Sequence, residues 1–180
     1  MKMIPLILSA VVFQVTWVSA AFLYTELATL GVISLYLLLT FSPESKPTMM
    51  ILSMVAVSLG IMMDAVLYSF QIYGFPSTDV MPLVNIPLWL LLMWLAFSSS
   101  LFSTLHWALS KPIMFVSICA VFGPLSYVVG KQIGIINFDT AHLWIMVFAW
   151  GIWASVFLLM CQAVKKINKG LTPIHLQSKA

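Results

Sequence analysis

The sequence predicts an all-α membrane protein, with six transmembrane helices in one bundle. Three observations carry this. Hydrophobic residues make up 62% of the chain and charged residues only 7%, against about 25% charged in a soluble domain. Apolar runs, most of them near the ~20 residues that a spanning helix needs, fill almost the whole length. The basic residues are all lysines, and Lys2, Lys46, Lys111, Lys165, Lys166, Lys169 and Lys179 fall in alternate gaps between the runs.

The first run covers residues 4–24 and carries Gln14 one turn from Trp17. Lys2 and the triplet Val18-Ser19-Ala20 resemble a signal peptide and its cleavage site, but the apolar character continues past them to Tyr24, as a retained span would. Glu26 marks a tight hairpin into the second run, 27–41. That run is short and must sit in thinned bilayer or borrow from its flanks. The gap 42–48 holds two prolines and a charge pair. The third run is 49–70. The longest gap, 71–85, follows, with Pro76, Asp79 and Pro82 but no lysine. Runs four, five and six cover 86–107, 112–130 and 141–163, separated by Ser110-Lys111 and by 131–140. Residues 1–163 thus form one transmembrane domain, and 164–180 a basic cytoplasmic tail.

Short cytoplasmic loops carry the lysine excess of a membrane protein. Six spans then place both termini in the cytoplasm, and the gaps at 25–26, 71–85 and 131–140 face outward. Tyr24, Tyr73, Trp89, Trp107 and Trp144 lie near span ends, as an aromatic belt would. Lys131 alone falls on the outer side.

The formal charge of +3 adjoins a membrane surface and gives no nucleic-acid signature. The chain has no arginine, the usual bidentate clamp for phosphate. Cys119 and Cys161 fall inside apolar runs without CxxC spacing, as small packing residues do. His106, His142 and His175 lie at different levels, so no metal site and no cofactor is expected.

Asp64 is the leading candidate for chemistry. It is the one acidic residue well inside a span, where an ionisable group costs ~2.5–3.5 kcal/mol on insertion scales and is usually paired or functional. Ser53, Val57, Gly60, Asp64 and Tyr68 recur every three to four residues and form one small, polar face. Asp64 lies six residues from the outer end of its span, ~9 Å at 1.5 Å per residue. Tyr127, Lys131 and His142 fall near that level, and an Asp64–Lys131 pair, direct or through Tyr127, is the structural expectation. Asp139 is a competing partner for Lys131. Gln14, Ser99 and Ser103 read as polar helix-packing residues, Gln14 through an interhelical hydrogen bond. Gly123-Pro124 reads as a helix break, since proline lacks the amide donor and crowds the Ala120 carbonyl.

Phe13-Gln14 with Trp17, Gly60 with Asp64, Pro87-Leu88-Trp89 leading to Trp94, and Gly123-Pro124-Leu125-Ser126-Tyr127 with Gly130 occur in that order. In this the chain resembles the bacterial membrane family labelled domain of unknown function 2878, over roughly residues 8–157. The resemblance implies a small multi-span protein of the bacterial inner membrane, with no assigned activity and an association with fatty-acid or lipid-modifying enzymes.

The expected function is a non-enzymatic accessory or binding component in envelope or lipid metabolism. Its partners would be membrane lipids, with a second copy of the chain or a lipid-modifying enzyme as a protein partner. One alternative is a proton- or cation-linked transporter subunit using Asp64. Another is an intramembrane lipid-modifying enzyme with an outward site of Asp64, Tyr127 and Lys131.

Overall fold

The computed structural model describes residues 3–22, 24–40, 47–76 and 86–170. Lys2, Lys46, Asp79, Pro82 and the end of the basic tail, with Lys179 and His175, lie outside the described residues. Six helices follow one another: α1 (Met3–Ala21), α2 (Thr25–Thr40), α3 (Pro47–Ser69), α4 (Leu88–Leu101), α5 (Pro112–Gln132) and α6 (Leu143–Gly170). No β-strand occurs among the described residues. The segments Pro47–Ser69, Pro112–Gln132 and Thr140–Ile167 are long and apolar enough to cross a membrane. The described parts of the other helices are apolar but shorter, at Ile7–Ala21, Thr25–Thr40 and Leu88–Leu101.

α4 is the axis of the bundle. It packs on α1, α2 and α3. Trp89, Leu90, Leu92, Trp94, Ala96, Ser98, Ser99, Ser100 and Leu101 are all buried, so most of this helix is covered. α1 pairs with α2, where a Cβ on Gly31 would overlap the buried Thr16 side chain. α5 pairs with α6, and α6 returns to α3.

The fourth helix is shorter than the apolar run predicts. It stops at Leu101, and the chain continues through turns to a single 3₁₀ turn at Ala108–Ser110. The three serines supply the reason. Ser98, Ser99 and Ser100 donate to the carbonyls of Leu95, Ala96 and Phe97 at 2.9, 2.8 and 2.6 Å. Serine hydroxyls that bond the backbone in this way compete with helix propagation. The turns that follow close on the same residues, with the Leu105 amide donating to the Ser100 carbonyl at 2.8 Å.

The end of the bundle that carries the 71–76 and 133–142 connections is tied by those two segments. Gly74 and Asn137 exchange both backbone hydrogen bonds at 2.8 Å. His142 Nδ1 lies 3.0 Å from the Ile72 carbonyl. A carbonyl can only accept, so Nδ1 is the donor. Asp139 caps the start of the last helical segment by accepting from the Ala141 amide at 2.9 Å. Of the expected aromatic belt, Tyr24, Trp107 and Trp144 are exposed, whereas Trp89 and Tyr73 are buried.

Candidate functional site

Asp64 is fully buried, and three donors from three other segments converge on its carboxyl group. Trp94 Nε1 of α4 donates to Oδ2 at 2.6 Å. The Tyr73 hydroxyl, from the connection after α3, donates to Oδ1 at 2.9 Å. The Tyr127 hydroxyl of α5 also donates to Oδ1. An unpaired acidic group at this depth would be costly; these bonds offset that cost and join three helices and a loop. Burial pushes the Tyr73 phenol well above the usual tyrosine range, with the nearby Asp64 adding to the shift, so Tyr73 stays a donor.

Lys131 takes no part in this cluster. It is exposed, its ammonium donates to the Phe138 carbonyl at 2.6 Å, and it stands 4.8 Å from the centre of the Phe138 ring. The physical reason is local. The chain reverses just after α5, so a carbonyl and an aromatic face lie within reach of the amine, while Tyr127 occupies the approach to Asp64. Asp139 is committed to its cap, and His142 is held by Ile72. Of the four residues placed at this level by the sequence, the structure brings Asp64 and Tyr127 together and sets Lys131 and His142 apart, at the end of α5 and the start of α6.

Glycines let the cluster close. A Cβ on Gly60, one turn before Asp64, would overlap the Trp94 indole, and a Cβ on Gly123 would overlap the Trp150 indole. The two indoles stack on each other between these glycines, 5.1 Å apart and 13° from parallel. Trp153 and Phe97 pack against both rings. The segment Gly123-Pro124-Leu125-Ser126-Tyr127 becomes legible residue by residue. Gly123 admits Trp150, Pro124 is buried, the Ser126 hydroxyl donates to the Gly123 carbonyl at 2.6 Å, and Tyr127 holds Asp64. α5 runs through it as one continuous helix with Pro124 inside, rather than breaking there.

A second polar cluster lies toward the other end. The Tyr36, Ser53 and Ser98 hydroxyls form a triangle with sides of 2.7, 2.8 and 3.0 Å, linking α2, α3 and α4. Ser103 accepts from Ser9 of α1 at 2.9 Å and donates to the Ser99 carbonyl at 3.1 Å. The Ser99 hydroxyl stays within its own helix. Gln14 is exposed and makes no hydrogen bond among the described residues, in place of the expected interhelical bond.

Gln14 instead lines a cavity of about 460 Å³ between α1, α4 and α5, within the ~300–1,000 Å³ usual for small-molecule sites. α5 packs chiefly on α6, and this groove lies between α5 and α1. Its walls run from Phe115 to Gly130 along α5, and Trp94, Tyr127 and Trp150 form its deep side. Phe122 and Leu125, 65% and 47% exposed, stand at its lip. Among the described residues, no lysine, histidine or acidic side chain lines it, and Asp64 is not part of the lining. Trp150 Nε1 is buried, and the Trp150 side chain interacts with the Tyr127 hydroxyl. No group of three or more metal-ligating side chains occurs among the described residues.

Sequence reasoning singled out neither Tyr73 nor Trp150 for this site. Tyr73 was expected at the surface because it follows a span end. A signal for Trp94 was available, since a buried indole N–H needs an acceptor and Asp64 is the one carboxylate inside a span.

The molecule is therefore a bundle of apolar helices, several of membrane-spanning length, organised around one buried carboxyl group and bordered by an apolar groove. The chain belongs to the family described as protein of unknown function DUF2878, whose profile matches residues 6–159. No curated protein and no solved structure matches it.

Proposed function

We propose that this chain is a six-span inner-membrane protein with both termini in the cytoplasm, and that it binds an uncharged long-chain lipid in the groove between α1, α4 and α5. It acts as a non-enzymatic accessory component of envelope or lipid metabolism. The groove carries this reading. From Phe115 to Gly130 it follows α5, roughly 22 Å at 1.5 Å per residue, more than the ~15 Å of one leaflet's hydrocarbon. Among the described residues its lining offers no counter-charge for a phosphate headgroup, and a bare charge at that depth is unfavourable. A neutral chain suits both length and lining.

The burial of Asp64 argues against the transport and enzymatic alternatives. The carboxyl group is enclosed, all its partners are protein donors, and it does not line the groove.

The test is lipid analysis of the protein purified in native-membrane nanodiscs, compared with an Ile118→Trp variant. Ile118 lines the groove, and an indole there reduces its volume. The expected result is an uncharged long-chain lipid enriched over the bulk membrane in the wild type and lost in the variant, with thermal stability retained. A lipid profile equal to bulk membrane in both would rule the reading out.

A further inference from the structure

The two ends of the groove differ. At the start of α5, Leu105, Ala108 and Phe115 form its end wall. Ala108 and Phe115 are buried, and Phe115 packs on Phe157 with ring centres 6.3 Å apart. Backbone bonds hold this end in place. The Lys111 amide donates to the Ala108 carbonyl and the Phe115 amide to the Lys111 carbonyl, both at 2.9 Å. At the far end of α5 the lining passes Gly130 and reaches Ile133, which is exposed. The end wall is apolar among the described residues. It suits the terminal methyl of a chain, whereas a polar head buried there would lose its hydrogen bonds.

Length and volume measure the same occupant. An extended hydrocarbon chain advances about 1.25 Å per carbon, from C–C bonds near 1.5 Å at tetrahedral angles. The stretch from Phe115 to Gly130, roughly 22 Å, therefore takes about 17 carbons. A methylene fills about the same space as a water molecule in the liquid, ~30 Å³. The cavity of about 460 Å³ therefore takes about 15 methylenes. The two estimates agree on one chain. Two chains side by side over this length would need about twice the volume.

From this agreement we infer that the groove admits a single hydrocarbon chain of about 15–18 carbons, methyl end against Phe115, and that Phe115 sets the chain length. The inference rests on the groove being a lipid site and narrows its ligand to an uncharged single-chain lipid, such as a long-chain alcohol or a monoacylglycerol. A diacyl lipid seats one chain and leaves the other outside, past the lip at Phe122 and Leu125. A chain that is too short leaves part of the lining without contact. One that is too long pushes carbons out of the mouth beside Ile133, and each methylene exposed to water weakens binding about fourfold. Phe115 is thus a specificity-determining residue, because its ring marks where the chain must stop.

The test is displacement of dibromo-octadecanol, whose bromines quench the groove tryptophans Trp17 and Trp94. The competitors are the straight-chain alcohols from decanol to docosanol, monopalmitoylglycerol and dipalmitoylglycerol. Each is added to nanodiscs at the same mole fraction, so that partition into the bilayer does not set the order. The expected result for the wild type is strongest displacement by hexadecanol to octadecanol, about tenfold weaker at decanol and at docosanol. Monopalmitoylglycerol should compete about tenfold better than dipalmitoylglycerol. Phe115→Ala should move the optimum to chains about two to four carbons longer, and Phe115→Trp should move it to shorter ones. Phe115→Leu gives the same direction as alanine should the larger truncation fail to fold, and the wild-type series tests chain number and length without any variant. An optimum unmoved in folded variants would overturn the role of Phe115. Equal displacement by the two glycerides, or no optimum along the alcohol series, would overturn the single-chain assignment while leaving the groove a lipid site. If no competitor displaces the probe and no lipid is enriched, the groove reading itself fails and this inference with it.

Discussion

Trp94 and Trp150 stack face to face, 5.1 Å apart, and each is backed by a glycine from a further helix. Gly60, Trp94, Trp150 and Gly123 come from α3, α4, α6 and α5 in turn, so four helices meet through two rings and two bare backbones. The pair is asymmetric. Trp94 is fixed by its bond to Asp64, whereas the buried Trp150 N–H turns to the Tyr127 hydroxyl.

Gly60→Ala and Gly123→Ala are expected to destabilise the protein. Alanine favours a helix interior over glycine by about 1 kcal/mol, but at these positions a Cβ would overlap an indole ring. The rings cannot easily move, because each is wedged against the other. Overpacking costs typically 1–3 kcal/mol, so the net change should be a lower melting temperature in detergent. Gly151→Ala is the control. Its Cβ would stand 3.9 Å from the Ala120 side chain, ordinary contact, and propensity should make it neutral or slightly stabilising. A Gly60→Ala protein melting at or above the wild type would refute the indole wedge.

Asp64→Ala should leave Trp94, Tyr73 and Tyr127 without their shared acceptor. Each unsatisfied buried donor costs about 1–3 kcal/mol, enough in sum to prevent accumulation of folded protein. Asp64→Asn should be milder, because its amide nitrogen can meet a tyrosine oxygen while its carbonyl keeps the Trp94 donor. Tyr127→Phe should be milder still, since Asp64 retains two donors. A double-mutant cycle between Asp64→Asn and Tyr127→Phe, read by thermal unfolding, should show coupling of about 1 kcal/mol or more. Strict additivity would mean that the Tyr127–Asp64 bond contributes nothing.

The helical class, the order of the elements and the importance of Asp64 could all be read from the sequence. Hydropathy and lysine spacing report on how each segment meets lipid, and a lone intramembrane carboxylate is visible without coordinates. The choice of partners was not legible in the same way. Lys131 and Tyr127 sit one turn apart on α5, and charge alone favours the lysine. The structure favours the tyrosine, because Tyr127 faces inward while the lysine is captured by the Phe138 carbonyl. Likewise, Gly60 and Gly123 read as small packing residues, but nothing in sequence shows that two indoles lie between them. That requires the pairing of α3 with α4 and of α5 with α6, which is tertiary information.

Lys131→Gln should therefore change thermal stability by less than the assay resolves. The ammonium makes one exposed contact to a backbone carbonyl and one to an aromatic face, and exposed contacts of this kind contribute little. A loss comparable to that of Tyr127→Phe would show that Lys131 supports the Asp64 cluster after all.

The orientation makes the last prediction. α5 extends from Pro112 to Gln132, with Lys111 just before it and Lys131 in its last turn. At 1.5 Å per residue the two lysines stand about 30 Å apart along the axis, the thickness of the hydrocarbon core. If α5 spans the membrane, one lysine is cytoplasmic and the other is not. The positive-inside bias then predicts Lys111, and not Lys131, on the cytoplasmic side. Lys111→Cys and Lys131→Cys, made separately, can be labelled with a membrane-impermeant maleimide on intact spheroplasts and again after lysis. Cys119 and Cys161 are buried and should remain unlabelled. Lys131→Cys should react before lysis and Lys111→Cys only after it. The opposite order would invert the topology, and equal labelling of both on intact spheroplasts would show that α5 does not cross.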